Sequence, residues 1–397
     1  MVLQGWVPSP GGAPLGVVAR KSGSTVASTW ADLPRNDVPG AKGFSLALPA
    51  GATLQDILEE RITVSLEGAP APVQLYDKLA ERLRGELAQE RLAAAPLPAE
   101  ISSFALAVGL TSPDGVVSVG RNGHLFLASG SNGVRQQYLM DPLIADGLAR
   151  RWHELIAERH AGVRALGARL LQLIVPEKST LLPELCPFPA SGDGTPLLRA
   201  LEARLEGLPC FINGRTVLGG EHRFQAFRQV NSHLSVTGTL VLLRACLERL
   251  RLPVPEDVDM SGSALGGSDM SARLSLNFYE RLAMPAGPAL DAYGHQLRTV
   301  EFHEVERHVG TRVRFANPGA PHKLRVLAFA NSFFERGHLP TCLSWWFARW
   351  FEHFSFVWSP ELDYDMVRKE RPDVVVCQTI ERFLPVVPSD LAPTVSS

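Results

Sequence analysis

The chain has 397 residues, more than one typical domain holds, so two domains are the default expectation. An apolar fraction of 45% and a charged fraction of 20% are those of an ordinary globular protein with material for a sizeable core. A formal charge of -2, without any run of Lys and Arg, gives no electrostatic reason to expect nucleic acid as a partner.

To about residue 75 the chain carries short alternating apolar runs, Leu15-Gly16-Val17-Val18-Ala19 and Phe44-Ser45-Leu46-Ala47-Leu48. Gly and Pro clusters such as Pro8-Ser9-Pro10-Gly11-Gly12 and Pro39-Gly40 separate them, the pattern of a small β-sandwich over residues 1–75 with Trp6 and Phe44 as core aromatics. Gly5-Trp6-Val7, Pro34-Arg35-Asn36-Asp37-Val38 and Gly43-Phe44 resemble small β-sandwich modules attached to bacterial carbohydrate-active proteins. From Val73 to Leu92 the periodicity turns helical, and Ala93-Ala94-Ala95-Pro96-Leu97-Pro98 reads as a linker or loop. Residues 76–397 are expected to form the second domain.

Asn122-Gly123 predicts a hairpin turn between Val116-Val117 and Leu125-Phe126-Leu127. An amphipathic helix is expected from about Leu143 into the Leu166 region, with Leu148, Trp152, Leu155, Ile156 and Val163 near one face. The apolar strand Leu170-Leu171-Gln172-Leu173-Ile174-Val175 follows and stops at Pro176. A second helix begins just after Asn231-Ser232-His233, capped by Ser235 or Thr237, and buries Leu240, Leu243, Leu247 and Leu250. Near the end come a strand at Leu324–Ala330, an aromatic helix over Leu343–His353, a strand at Phe354–Trp358, a helix over Asp363–Glu370 and a strand at Asp373–Cys377. Apolar strands alternating with helices predict an α/β fold, a parallel sheet with helices on both faces.

Ligands collect at the carboxyl ends of strands in such sheets, and Ser332 stands at one. A serine hydroxyl needs a base to become a nucleophile, and the base needs an orienting acceptor. Among the eleven histidines, His233 lies in a loop at a helix start with Asn231 two residues before it. His222 and His322 are loop competitors, while His153 and His160 fall on a surface helix. The five cysteines, Cys186, Cys210, Cys246, Cys342 and Cys377, are scattered and form no CxxC pair. They read as buried thiols in a reducing compartment rather than a metal or redox site. Neither a ligand-spaced Cys/His cluster nor a phosphate-binding Gly-rich loop occurs, so no metal and no cofactor is expected. Trp345, Trp346, Phe347, Trp350 and Phe351 have the helical spacing of a core face, and only Trp345 or Trp346 is left to line a cleft. Asp363, Asp365 and Arg368–Arg371 read as a solvated helix face.

Several segments, in order, resemble the alginate O-acetyltransferase-like SGNH hydrolase family over roughly residues 100–385. These are Arg121–Leu127, Ile174-Val175-Pro176-Glu177-Lys178-Ser179-Thr180 with Leu182-Pro183-Glu184, and Arg228-Gln229-Val230-Asn231-Ser232-His233-Leu234. Phe329-Ala330-Asn331-Ser332-Phe333 stands where that family carries its nucleophile, and Phe356–Pro360 with Arg371–Val376 resembles its C-terminal core. The resemblance implies Ser332 as the acylated nucleophile, His233 as general base and Asn231 in the place of the orienting acid. Asn331 and Arg228 are the expected substrate-binding residues.

Four residues depart from the family pattern. Asn231 replaces an aspartate, Ala330-Asn331 replaces Gly-Asp before the serine, and Leu234 replaces a tryptophan. An amide oxygen can hold a histidine tautomer but cannot stabilise an imidazolium by charge, a loss of about 10⁴-fold in turnover in serine enzymes. Glu335, Glu221 or Asp363 replacing the acid in space, a slow dyad, or a pocket kept for binding alone are the three resulting readings. The leading expectation is an O-acyltransferase or acylesterase, moving an acetyl group on a bacterial carbohydrate through an acyl-serine. The alternative is a catalytically degenerate glycan-binding or assembly protein. A lipase-like role is disfavoured, because Ala330-Asn331-Ser332-Phe333-Phe334 is no Gly-x-Ser-x-Gly elbow. The expected partners are a glycan acceptor, an acyl donor and a protein of a polysaccharide pathway. The first residues lack a secretory signal pattern and no segment approaches the roughly 18 apolar residues that span a membrane. The expected location is cytoplasmic, or periplasmic if a leader has been removed, without membrane insertion.

Overall fold

The computed structural model describes residues 2–9, 13–34, 40–49, 51–53, 56–57, 61–68, 106–130, 132–254, 258–275, 278–287, 290, 293–306 and 308–391. The helix expected over 73–92, the linker at 93–98, and the turn residues Pro10–Gly12 and Arg35–Pro39 lie outside them. The chain divides into two compact units, one within residues 1–105 together with 263–265, the other made of 106–262 and 266–397.

The first unit holds two three-stranded antiparallel sheets. In one, β5 (Ala41–Ala47) pairs with β1 (Val2–Pro8) and β4 (Leu33–Pro34); in the other, β2 (Leu15–Lys21) pairs with β3 (Ser24–Ala31) and β6 (Ile62–Leu66). Val7, Val17, Ala31, Phe44, Leu46 and Ile62 meet in one apolar core. Phe44 is buried in it, whereas Trp6 is half-buried.

The second unit opens with a hairpin, β7 (Val117–Val119) and β8 (Leu125–Leu127). Asn122 and Gly123 at its tip both take positive φ, 54° and 73°, the conformation that makes Asn-Gly a hairpin turn. Helix α1 (Pro142–Ala165) starts at an Asp141 cap whose carboxylate accepts the Leu143 N–H at 2.8 Å. It leads into β9 (Arg169–Val175), α2 (Pro196–Leu205), β10 (Phe211–Asn213) and α3 (Val236–Arg249). Strands β11 (Asp259–Gly267) and β12 (Tyr279–Ala286) form a separate pair, followed by β13 (Arg298–His303), β14 (Arg312–Ala316) and β15 (His322–Ala330). Helix α4 (Leu343–Trp350), β16 (Phe351–Trp358), α5 (Tyr364–Glu370) and β17 (Val374–Ile380) complete the unit.

The main sheet has seven strands in the order β10-β9-β17-β15-β16-β14-β13. The first five run parallel; β14 pairs antiparallel with β16, and β13 pairs antiparallel with β14 at the edge. Because side chains alternate across a strand, β15 feeds two cores at once. Val326, Ala328 and Ala330 pack with the faces of α3 and α4, while Leu327 and Phe329 pack with α1, α2 and α5. This is an α/β sheet flanked by helices on both faces.

Several element boundaries shift from the sequence expectation: β15 starts at His322, β16 at Phe351, and β17 runs on to Ile380. The aromatic helix stops at Trp350, not His353, because Phe351 and His353 already pair with His322 and Arg325 of β15. Trp346, Phe347, Trp350 and Phe351 are buried, and the half-buried Trp345 carries the Arg349 guanidinium 3.6 Å above its ring. Asp363 caps α5 through the Met366 N–H. Among the described residues, no helix is long and apolar enough to cross a membrane.

Candidate functional site

Ser332 is placed by the end of β15. Beyond Ala330 the chain turns at once: the Asn331 carbonyl accepts the Phe334 N–H at 3.0 Å, and its side-chain Oδ1 accepts the Phe333 N–H at 3.1 Å. The Asn331 N–H in turn donates to Oε1 of Gln378 on β17 at 3.3 Å. Side chain and backbone of Asn331 thus shape the turn that carries the Ser332 hydroxyl at the carboxyl edge of the sheet.

His233 is placed by a loop between the 226–227 segment and α3. Phe227 and Leu234, both buried, form an isolated bridge, and Arg228 N–H donates to the His233 carbonyl at 3.1 Å, closing the loop at its neck. Ser235 then caps α3 by accepting the Gly238 N–H at 3.0 Å. A Cβ on Gly238 would lie 2.1 Å from the Ala226 carbonyl oxygen, so glycine is what lets the helix start this close to the loop.

The two placements bring side chains together. His233 Nε2 is 2.9 Å from Ser332 Oγ, and His233 Nδ1 is 2.9 Å from Asn231 Oδ1. The same Asn231 oxygen accepts the His233 backbone N–H at 3.0 Å, an Asx-type turn. A backbone N–H can only donate, so this atom of Asn231 is the oxygen and the ring proton sits on Nδ1. The Nε2 lone pair is then left facing the Ser332 hydroxyl. The imidazole rests against Phe333, with ring centroids 5.3 Å apart.

A carboxylate absent from the sequence-derived candidates also reaches this histidine. Asp269 Oδ2 lies 3.3 Å from His233 Nδ1. The residue between Asn231 and His233 holds it there: Ser232 N–H donates to Asp269 Oδ1 at 2.9 Å and the Ser232 hydroxyl donates to Oδ2. Val230 and Met270, the neighbours of the two segments, share a small apolar cluster with Val117, Val119 and Leu125 of the hairpin. Burial pushes the Asp269 pKa up, but the bonds and charge from His233 and the bonds from Ser232 outweigh it and bring it down to about 2. The three carboxylates considered from sequence sit otherwise: Glu335 pairs with Arg336, Asp363 caps α5 and Glu221 is exposed. In sequence, Ser268-Asp269 after the Gly-rich β11 has the composition of a plain turn, and only its proximity in space marks it.

The other expected residues hold the loop. Arg228, 8% exposed, donates to Glu280 at 3.0 Å and to the Gly267 carbonyl at 2.7 Å. Lys178 is fully enclosed, and its Nζ donates to the Leu125 and Gln229 carbonyls at 2.8 and 2.6 Å. Burial pushes its pKa down to about 7. A neutral amine has two N–H donors for those two carbonyls. Of the competing histidines, His322 opens β15 at the end opposite Ser332, and His222 is exposed before a short 3₁₀ turn. Among the described residues, no group of three or more His, Cys, Asp and Glu side chains could hold a metal ion.

No protein-family model and no curated protein sequence matches the chain. Among solved structures, it is similar to PatB1 of Bacillus cereus with a sulfonyl adduct, at 11% identity and a TM-score of 0.44, over 62% of this chain and 91% of that one. It is also similar to the O-acetyltransferase domain of Pseudomonas putida AlgJ, at 17% identity and 0.39, over 69% and 93%. A DHHW family protein from Eubacterium siraeum is similar at 12% identity and 0.43, over 71% and 96%.

Proposed function

We propose that residues 76–397 form an SGNH-type O-acyltransferase or acylesterase that moves an acetyl group on a bacterial carbohydrate. In this reading Ser332 is the nucleophile, His233 the general base and Asn231 the residue that fixes the histidine tautomer. The observation that carries it is the unbroken line Ser332 Oγ, His233 Nε2, His233 Nδ1, Asn231 Oδ1, with 2.9 Å at each hydrogen bond. Nucleophile, base and orienter within hydrogen-bond reach are what acyl transfer through serine requires. The carbohydrate acceptor and the SGNH assignment rest on the ordered sequence segments around these residues.

The chemistry follows from the proton positions. Ser332 Oγ attacks the acetyl carbonyl carbon while its proton passes to Nε2. The negative oxygen of the tetrahedral adduct takes the Ser332 N–H, which donates to no acceptor among the described residues, as one of its donors. Collapse of the adduct breaks the ester bond, and Nε2 returns the proton to the departing alcohol. A sugar hydroxyl, or water in the esterase case, then gives its proton to Nε2 and attacks the acyl carbon; the bond to Ser332 Oγ breaks, and Nε2 returns the proton to that oxygen. Asn331 and Arg228 would shape the substrate side of the cleft through the turn and loop they hold. Residues 1–75 would serve as a β-sandwich accessory module that binds glycan.

Hydrolysis of p-nitrophenyl acetate by the wild type and Ser332→Ala tests the assignment. Loss of at least 10³-fold in the variant is expected, together with an acetyl group on the Ser332 peptide of the wild type in mass spectrometry. Equal rates and an unmodified peptide would remove the nucleophile and leave the glycan-binding or assembly role, which the amide at position 231 favours.

A further inference from the structure

We propose that Asp269, reaching in from the segment between β11 and β12, is the positioning residue that supplies the negative charge His233 needs and Asn231 lacks. This rests on the reading of Ser332 and His233 as nucleophile and base, and adds a residue to it.

The argument starts from what each acceptor at Nδ1 can do. Asn231 Oδ1, at 2.9 Å, is the nearer and fixes the tautomer, but an amide carries no charge. When the Ser332 proton moves to Nε2, the ring becomes a cation with no formal counter-charge on Asn231. Asp269 Oδ2, 3.3 Å from Nδ1, provides one on the same edge of the ring. The carboxylate cannot drift away freely, because Ser232 grips both of its oxygens with its N–H and its hydroxyl. Having given its proton to Asp269, the Ser232 hydroxyl turns a lone pair to Nδ1 at 3.3 Å. With a pKa brought to about 2, Asp269 stays ionised throughout the neutral range and takes no proton in the cycle.

The other charged groups around the loop do not compete for this role. Arg228 and Glu280 neutralise each other 3.0 Å apart. Arg382, over the Phe333 ring, is paired with Glu177 at 2.7 Å. Lys178 feels the Asp269 charge but gives its hydrogen bonds to the Leu125 and Gln229 carbonyls. The two tasks of an orienting aspartate are therefore divided here between two segments, tautomer control at residue 231 and charge at residue 269.

The test is the pH profile of kcat/KM for p-nitrophenyl acetate in the wild type, Asp269→Asn and the double variant Asn231→Asp/Asp269→Asn. Removing the charge is expected to lower kcat/KM by about 10²-fold, less than the roughly 10⁴-fold known for a buried triad aspartate, since the Asp269 side chain is 34% exposed. It also moves the acidic limb to lower pH, because the protonated ring loses its counter-charge. The double variant, with its carboxylate at 231, regains most of the rate and the original limb. An Asp269→Asn enzyme within twofold of the wild type and with an unmoved limb overturns the proposal while leaving Ser332 in place. Equal rates for the wild type and Ser332→Ala overturn the underlying reading instead. If Asp269→Asn does not fold, Asp269→Glu and Asp269→Ser replace it: Glu keeps the limb and Ser moves it, and identical limbs overturn the proposal.

Discussion

Two side chains show how much a single residue sets at this site. Asn231 uses one oxygen twice, for the backbone and for the ring of His233, so loop shape and proton position are fixed together. Lys178 sits beneath the same loop with no carboxylate bonded to it, and burial has brought its pKa from an ordinary 10.5 to about 7. Between those values the unfolded chain holds one proton more than the folded one, so this group makes folding more favourable as pH rises through that window. The slope is about 1.4 kcal/mol per pH unit, and below pH 7 the contribution is flat. The stability difference between the wild type and Lys178→Met in urea unfolding is therefore expected to widen in favour of the wild type from pH 7 to 10. A constant difference would contradict the buried neutral amine. Ser332, His233 and Asn231 stand out in the sequence through the ordered segments that resemble a family pattern, since a strand end or a helix start alone does not mark a serine or a histidine as reactive. Asp269 does not, since it is brought to the ring by contacts between distant segments, its bonds from Ser232 and the clustering of Met270 with Val230.

At the level of elements, the start of α3 and the loop before it behave as one piece. Ser235 accepts the Gly238 N–H and donates to the Gln225 carbonyl, so the helix cap also ties down the neck of the histidine loop. Ser235→Ala is expected to cost about 1 kcal/mol in thermal or urea unfolding, with Ser235→Asp recovering part of it. The helices and parallel strands were legible because their apolar periods are long and clear: α3 buries Leu240, Leu243 and Leu247, and β17 is buried throughout. The end of α4 was not, because Phe351–His353 continue the aromatic run and only pairing with β15 turns them into strand. The antiparallel edge, β13 and β14, leaves no clear trace in the sequence for a similar reason. Its strands are short, charged and half-exposed, with patterns such as Arg298-Thr299-Val300-Glu301 that carry little apolar signal.

For the whole molecule, all five cysteines are free thiols. Burial pushes the Cys186, Cys246, Cys342 and Cys377 thiols up to about 12 and raises that of Cys210 as well. Thiolate is the reactive form, so the native chain is expected to react slowly with Ellman's reagent at pH 8 and to yield five thiols once denatured. Rapid release from the native protein would show a site opening that this packing does not contain. The sheet order has a different kind of consequence. Its third strand, β17, is the last one in the sequence, and it lies between β9 and β15. The strand that joins the two halves of the sheet is therefore made last, long after the segments it must unite. His233 follows β10 in the chain, and Ser332 follows β15, the neighbour of β17 in the sheet. During synthesis the two halves of the sheet cannot be zipped together until residues 374–380 emerge, so a chain that stops short of them keeps both reactive side chains but lacks the central strand of the sheet that carries Ser332.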